Sequence, residues 1–212
     1  METESMLQES TEPKKSKSKS IILLAILALV VIAGGFFGYN SYQASAKEKD
    51  EFAYAKNYWD AAYSMISGGA TAEEVTNTYV SVWRDTIYDD QYVLDGKVNY
   101  SSDFNISLAA ARKHHAAEIA GLIVNDEHVK GLMKKLNDPP KKYEKLHDML
   151  LDMYTVYKAH TEMAEDPSGS LDSFSKSLRD NAVEFSSIWE KLNVMIPEDE
   201  AFKKAKLEID TE

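Results

Sequence analysis

The fold is decided by the stretch YEKLHDMLLDMYTVYKAHTEMA, residues 143–164. One side of this stretch repeats at alternating spacings of three and four residues, as one face of an α-helix does. The positions on that side are Tyr143, Leu146, Leu150, Met153, Tyr157, His160 and Ala164. A repeat of this kind is typical of the seam of a coiled coil or helical bundle. It predicts a long helix that buries one face against other helices.

The sequence after this helix predicts one more long helix and then a tail. Residues 166–169 (Asp-Pro-Ser-Gly) indicate a turn, and Ser170 or Asp172 is placed to cap the helix that follows. Its buried stripe is predicted to be Leu171, Phe174, Leu178, Phe185, Ile188 and Leu192. Pro197 ends it, because proline cannot continue a helix interior. Residues 198–212 are charged and weakly amphipathic, so we expect a loosely held C-terminal tail.

Before residue 143 the same helical spacing recurs in shorter blocks. A first stripe is formed by Phe52, Ala55, Trp59, Ala62 and Ile66. Gly68-Gly69 is predicted to end that helix, and Thr71, with Glu74 three residues later, has the spacing of a capping box for the next. The aromatic residues of these two helices fit either a bundle core or a recognition surface.

Residues 89–102 interrupt the helical spacing. Asp95-Gly96 is a turn signal, and Val93, Leu94, Val98 and Tyr100 fit a short hairpin or a packed loop. A helix is predicted to restart at Ser102 or Asp103, with a kink or short break at Asn125-Asp126. Asp138-Pro139-Pro140 then stops it. Short connections between long amphipathic helices favour antiparallel neighbours. Residues 40–197 are therefore predicted to form an all-α, up-and-down bundle of four to five helices.

A membrane segment is predicted at residues 21–39. Ile21 to Gly38 is an uncharged run of 18 residues that would span about 27 Å as a helix, close to the ~30 Å hydrocarbon core of a bilayer. Its apolar surface is represented by Ile21, Leu24, Leu27, Val31, Phe36 and Phe37. Gly34 and Gly38 form a small-xxx-small face, which suggests that two copies pack as a homodimer. No helix breaker follows directly, so we expect the first outer helix to continue from this segment as a stiff rod.

The charges beside this segment predict its orientation. Residues 1–20, an expected disordered tail, carry Lys14, Lys15, Lys17 and Lys19, and positive flanks tend to stay cytoplasmic. The N-terminus is therefore predicted inside a plasma membrane and residues 40–212 outside. The rival interpretation is a cleaved signal peptide with a small-x-small site at residues 44–46, which would leave a secreted helical protein. The long apolar run and the long polar leader favour the uncleaved anchor.

Composition restricts the partners and the cell type. The chain has 35 acidic and 24 basic residues; four of each lie in residues 1–20, so residues 40–212 carry 31 acids against 20 bases. Such an acidic domain repels nucleic acid, and we expect no nucleic-acid partner. The chain has no cysteine. A domain outside the membrane without disulfides fits a bacterial envelope, of the Gram-positive kind, better than an animal cell surface.

Two pairs of residues have the spacing of metal ligands. Glu144 and His147 match Glu-x-x-His, the motif that carboxylate-bridged di-iron bundles use, but the sequence has no second copy of it. His114 and Glu118 lie one helical turn apart and could begin a zinc site, although no further ligand motif completes it. We therefore assign no metal and no cofactor. Position 147 lies beside the seam of residues 143–164, so we expect the Glu144–His147 spacing to arise by chance and His147 to be exposed.

His115 and His160 both fall on apolar stripes. If they face each other in the bundle, protonation below pH ~6.5 would place two charges in the core, which would make a pH sensor. The alternative is a purely structural role, in which both are hydrogen-bonded core histidines.

These patterns favour an interaction protein over an enzyme. No nucleophile motif, phosphate-binding glycine loop or isolated carboxylate pair is evident. The predicted function is a single-pass, membrane-anchored extracytoplasmic module that interacts with or scaffolds another envelope protein. The alternatives are a ligand- or pH-sensing subunit of a membrane complex, the secreted helical protein, and a metal-dependent bundle enzyme.

Overall fold

The computed structural model describes the backbone of residues 17–211 and the side chains of residues 46–211. Its elements in chain order are α1 (Lys17–Asp89), β1 (Gln91–Leu94), β2 (Lys97–Tyr100), α2 (Phe104–His114), α3 (Ala116–Lys135), a 3-10 turn (Lys141–Tyr143), α4 (Glu144–Glu165), α5 (Leu171–Met195) and α6 (Glu200–Ile209). The predicted all-α class and helical bundle are confirmed. Backbone contacts divide the chain into the units 1–47 and 48–212, and the bundle belongs to the second.

The predicted membrane segment lies outside the residues whose side chains are described, and so do Gly34 and Gly38. Within residues 46–211, no helix is both long and apolar enough to cross a bilayer. The anchor, its orientation and the homodimer face therefore stay predictions.

Contacts of α1 show that the bundle helices alternate in direction. His128 Nε2 of α3 lies 3.1 Å from Asp60 Oδ1, while His115, at the α2–α3 junction, meets Thr78 further along α1. The order of these contacts makes α2 and α3 antiparallel to α1. Tyr54 of α1 stacks on Tyr143, with ring centroids 5.4 Å apart, just before α4 begins.

The direction of α4 and α5 follows from contacts at their ends. The hydroxyl of Tyr79 donates to the carbonyl oxygen of Ala164 at 2.9 Å, so the end of α4 lies beside the later part of α1 and the two helices are parallel. Asn181, in the first half of α5, contacts Met163, near the end of α4, at 3.5 Å. The helix α5 therefore runs back along α4.

Two apolar clusters form the core, and α1 contributes to both. The larger one gathers residues 54–65 of α1 with the facing sides of α3, α4, α5 and α6. The smaller one gathers residues 72–83 of α1 with Tyr92, Ala111 and parts of α3, α4 and α5. All seven seam positions of residues 143–164 are buried, as the spacing predicted. Of the two cap candidates, Ser170 and Asp172, it is Ser170 that caps α5, in a capping box whose second member is Ser173.

The prediction that Gly68-Gly69 ends a helix is wrong. The helix α1 runs through both glycines, and the hydroxyl of Thr71 donates to Ser67 one turn back at 3.2 Å instead of capping a new helix. Gly68 is instead a contact point between helices: a Cβ atom there would lie 2.5 Å from Asn125 Nδ2. The absence of a side chain lets α3 and α4 approach α1, which local propensity does not reveal.

The break predicted at Asn125-Asp126 is also wrong, since α3 continues from Ala116 to Lys135. Both side chains bond to other helices instead of turning their own backbone. The amide of Asn125 donates to the carbonyl oxygen of Ser64 and to the hydroxyl of Tyr157, each at 2.9 Å. Lys158 donates to Asp126 at 2.8 Å. The interruption lies earlier, at His115, which is both the C-cap of α2 and the N-cap of α3.

The C-terminal segment is folded, contrary to the expectation of a loosely held tail. Asp199 caps α6 by accepting from the backbone N–H of Phe202 at 3.1 Å. The side chain of Phe202 is only 1% exposed. Its ring packs against Tyr58 and Tyr143, with centroids 5.2 and 4.9 Å away, and the indole N–H of Trp59 donates to its carbonyl oxygen at 3.2 Å. The buried ring of Phe202 thus helps to dock a segment whose overall composition is polar.

A polar cluster joins α6 to α1 and to the start of α4. Lys142 Nζ lies 2.7 Å from a carboxylate oxygen of Glu51 and 2.9 Å from one of Asp199, which also accepts from the hydroxyl of Tyr143 at 2.6 Å. Burial alone would raise the pKa of Asp199, but these hydrogen bonds outweigh it and hold that pKa below its ordinary value. The charged form of Asp199 is thus favoured when α6 is docked.

Candidate functional site

The hairpin formed by β1 and β2 projects from the end of α1. Asp90 turns the chain out of the helix with a φ of 49°. The strands pair in the register Gln91 with Tyr100 through Leu94 with Lys97. Asp95 and Gly96 make the two-residue turn with φ values of 54° and 70°, the positive pair that a type I′ turn requires. The turn signal in the sequence therefore marks a true hairpin and not a packed loop.

One face of the hairpin is buried and the other is exposed. Tyr92 on the inner face is 6% exposed and belongs to the core cluster that contains Trp83. On the outer face Val93 is 52%, Val98 54% and Tyr100 83% exposed. We call these three side chains the hairpin surface. Exposed apolar residues grouped in this way mark interaction sites more often than singly scattered ones do.

The surroundings of the hairpin surface are acidic. Residues 85–111 contain five aspartates and one lysine. Asp85 is paired with Arg84 at 3.0 Å, and Asp95 at the hairpin turn lies 3.2 Å from His114. Asp89, Asp90 and Asp103 are exposed near the open end of the hairpin, and the structure gives them no ion pair within residues 46–211. The apolar surface therefore has a negative border at one end.

The structure separates the side chains of both metal hypotheses. His147 is buried, 6% exposed, whereas the sequence predicted that it lies beside the seam and is exposed; Glu144 on the same helix is exposed. His114 is engaged with Asp95, and the carboxylate of Glu118 lies 4.0 Å from His115 Nδ1. Among the described residues, no group of three or more His, Asp or Glu side chains has the geometry of a metal site.

The two histidines on the apolar stripes are both buried but have different surroundings. His115 is 4% exposed and its Nε2 lies 3.0 Å from the hydroxyl of Thr78. His160 is also 4% exposed, and its buried Nε2 has no hydrogen-bond partner among the described residues. Burial lowers the pKa of His160, and the charge of Glu73 opposes this only in part. Burial thus favours the neutral form of His160.

We expect the protein to lose stability as the pH falls below about 6.5. Burial lowers the pKa of both His147 and His160, so the unfolded chain binds protons at a higher pH than the folded one does. Each histidine contributes most to the free energy of unfolding at pH values above its unfolded-state pKa of about 6.5. Below that pH the contribution declines by at most about 1.4 kcal/mol per pH unit for each histidine. Urea unfolding of the full-length protein at pH 5.0–8.0 measures this slope.

The matched variants assign the slope to these side chains. His160→Gln should reduce it and His147→Gln/His160→Gln should remove most of it, whatever each variant does to stability at pH 8. A slope that is unchanged in the double variant would contradict the assignment.

The hairpin turn and its apolar positions were visible in the sequence, but the exposure of the surface was not. Alternation of Tyr92, Val93 and Leu94 does not say which side meets the core.

In comparisons with known proteins, no family model matches the chain, and neither a curated protein nor a solved structure matches it.

Proposed function

We propose that this chain is a single-pass membrane protein whose helical bundle lies outside the plasma membrane and serves as an interaction module in the cell envelope. The observation that carries the interaction role is the hairpin surface, where Val98 and Tyr100 are more than half exposed on a two-stranded support. Tyrosine and aliphatic side chains presented on a fixed scaffold are common binding anchors. The bundle itself supplies the support, because Tyr92 fastens the hairpin to its core.

The membrane anchor in this proposal is supported by the sequence. The uncharged run from Ile21 to Gly38 is of spanning length, and the lysines before it favour a cytoplasmic N-terminus. Protease added to intact cells should then digest the bundle and leave a small protected fragment. A bundle that resists digestion until the cells are lysed would contradict the proposed topology.

Photo-crosslinking tests the interaction role. A benzophenone amino acid placed at Tyr100 of the full-length protein, in the cells that produce it, should give a discrete adduct with one envelope protein. The same group at the exposed Lys134 on α3 should not give that adduct. An adduct that forms equally from both positions, or from neither, would contradict a specific role for the hairpin surface.

A further inference from the structure

We infer that β2 binds an extended segment of another protein as an added β-strand, and that this segment carries lysine or arginine at the end beside Tyr100. The inference rests on the proposed function, because it gives the hairpin surface a mode of binding and a class of partner.

The backbone of β2 has main-chain groups that point away from β1. A two-residue turn makes Leu94 and Lys97 a hydrogen-bonded pair, and bonded pairs alternate along an antiparallel ladder. The next bonded pairs are then Tyr92 with Asn99 and Asp90 with Ser101, and the Ser101 N–H does donate to the Asp90 carbonyl oxygen at 3.0 Å. The N–H and C=O groups of Val98 and Tyr100 therefore face the open edge of the sheet.

The side chains distinguish β2 from β1 as the binding edge. In β1, Tyr92 is buried, Gln91 and Leu94 are half-buried, and only Val93 is exposed. In β2 only Asn99 is half-buried, while Lys97, Val98 and Tyr100 are exposed. An exposed edge strand with apolar side chains is a template for strand addition, in which main-chain bonds hold the partner and alternate side chains select it.

The charges select a basic partner. Asp89, Asp90 and Asp103 are exposed at the open end of the hairpin, on the side where β2 ends at Tyr100. A strand that adds to this edge brings its flanking side chains into that field, and opposite charges would speed and strengthen the encounter. A second copy of this chain offers no net positive charge to these aspartates: a parallel β2 would bring its own Asp89, Asp90 and Asp103, and an antiparallel β2 would bring Asp95 together with Lys97. The complementary partner is a basic extended segment.

Hydrogen exchange of the full-length protein in detergent micelles tests the inference with two synthetic probes. One is a peptide of two lysines followed by alternating valine and threonine, and the other replaces the lysines with glutamates. The lysine peptide should slow exchange of the Val98 and Tyr100 amides, by about two-fold at half saturation. The amides of Tyr92 and Asn99, which already bond within the hairpin, should not change. The glutamate peptide should bind at least several-fold more weakly.

Two proline variants identify the edge. Val98→Pro removes an outward donor without removing a hairpin bond, because proline is tolerated on edge strands where its nitrogen faces solvent. It should abolish the effect of the lysine peptide, while continued protection of the Tyr92 amide would show that the hairpin is folded. Val93→Pro, at the opposite edge, is the matched control and should still bind the peptide.

Each of the other outcomes contradicts one part of the inference: the edge, the partner's charge or the mode of binding. If peptide binding were lost in Val93→Pro but kept in Val98→Pro, the binding edge would be β1 and not β2. If the glutamate peptide bound as tightly as the lysine peptide, the inference of a basic partner would be wrong. Protection that appears without peptide and rises with protein concentration would assign the edge to a second copy. If the lysine peptide has no effect while crosslinks from position 100 persist in cells, strand addition fails and the proposed interaction role stands.

Discussion

Replacing Phe202 with alanine should destabilise the protein by about 3–5 kcal/mol, the usual cost of truncating a fully buried phenylalanine. Its ring is 1% exposed and fills the space between Tyr58, Trp59 and Tyr143. The substitution leaves the main-chain bonds of α6 intact, including the one that Asp199 accepts from residue 202. The loss therefore reports the packing of the side chain. Urea unfolding followed by tryptophan fluorescence and circular dichroism measures it.

The control for this prediction lies on the same helix. Leu207 is 66% exposed, and its replacement by alanine should change the free energy of unfolding by less than about 0.5 kcal/mol. If Phe202→Ala cost no more than Leu207→Ala, α6 would not be docked on the bundle in solution. The sequence-based expectation of a loosely held tail would then be correct.

Replacing Gly68 with alanine should destabilise the protein by about 1–3 kcal/mol, although alanine is the better helix former. A Cβ atom at this position would lie 2.5 Å from Asn125 Nδ2 and 2.9 Å from the Tyr157 hydroxyl. These atoms bond to each other at 2.9 Å, and Asn125 also donates to the carbonyl oxygen of Ser64. Relieving the clash breaks or lengthens those bonds within a buried interface of α1, α3 and α4, and an unsatisfied buried group costs more than a bond contributes.

Gly69 provides a matched comparison one residue away. A Cβ atom there would meet only Phe185, at 3.7 Å, which is an ordinary contact. Gly69→Ala should therefore stabilise the protein by about 0.5–1 kcal/mol through helix propensity alone. Thermal and urea unfolding of the two variants should shift in opposite directions. Equal shifts of the same sign would mean that Gly68 serves only local helix conformation and that the close approach of the three helices is not maintained.

The candidate surface was only partly predictable from the sequence. Asp95-Gly96 defines the turn because few residue pairs adopt two consecutive positive φ values at low cost. The strand alternation is also local. Which side of the strands is buried depends on the core cluster that Tyr92 shares with Trp83 of α1 and Ala111 of α2. The sequence therefore shows which residues form the hairpin surface, but not that they are exposed together on one face.

By itself, the sequence determined the helical class, the seam of residues 143–164 and the turn at Asp95-Gly96, and it narrowed two helix caps to Ser102 or Asp103 and to Ser170 or Asp172. These features depend on residue spacing and on bonds between near neighbours, which propensity and periodicity describe. Only the tertiary structure decided that α1 continues through Gly68, that Asn125 bonds to other helices and that Phe202 holds the C-terminal segment. Each of these depends on atoms from helices distant in sequence, whose packing outweighs local preferences of about 1 kcal/mol.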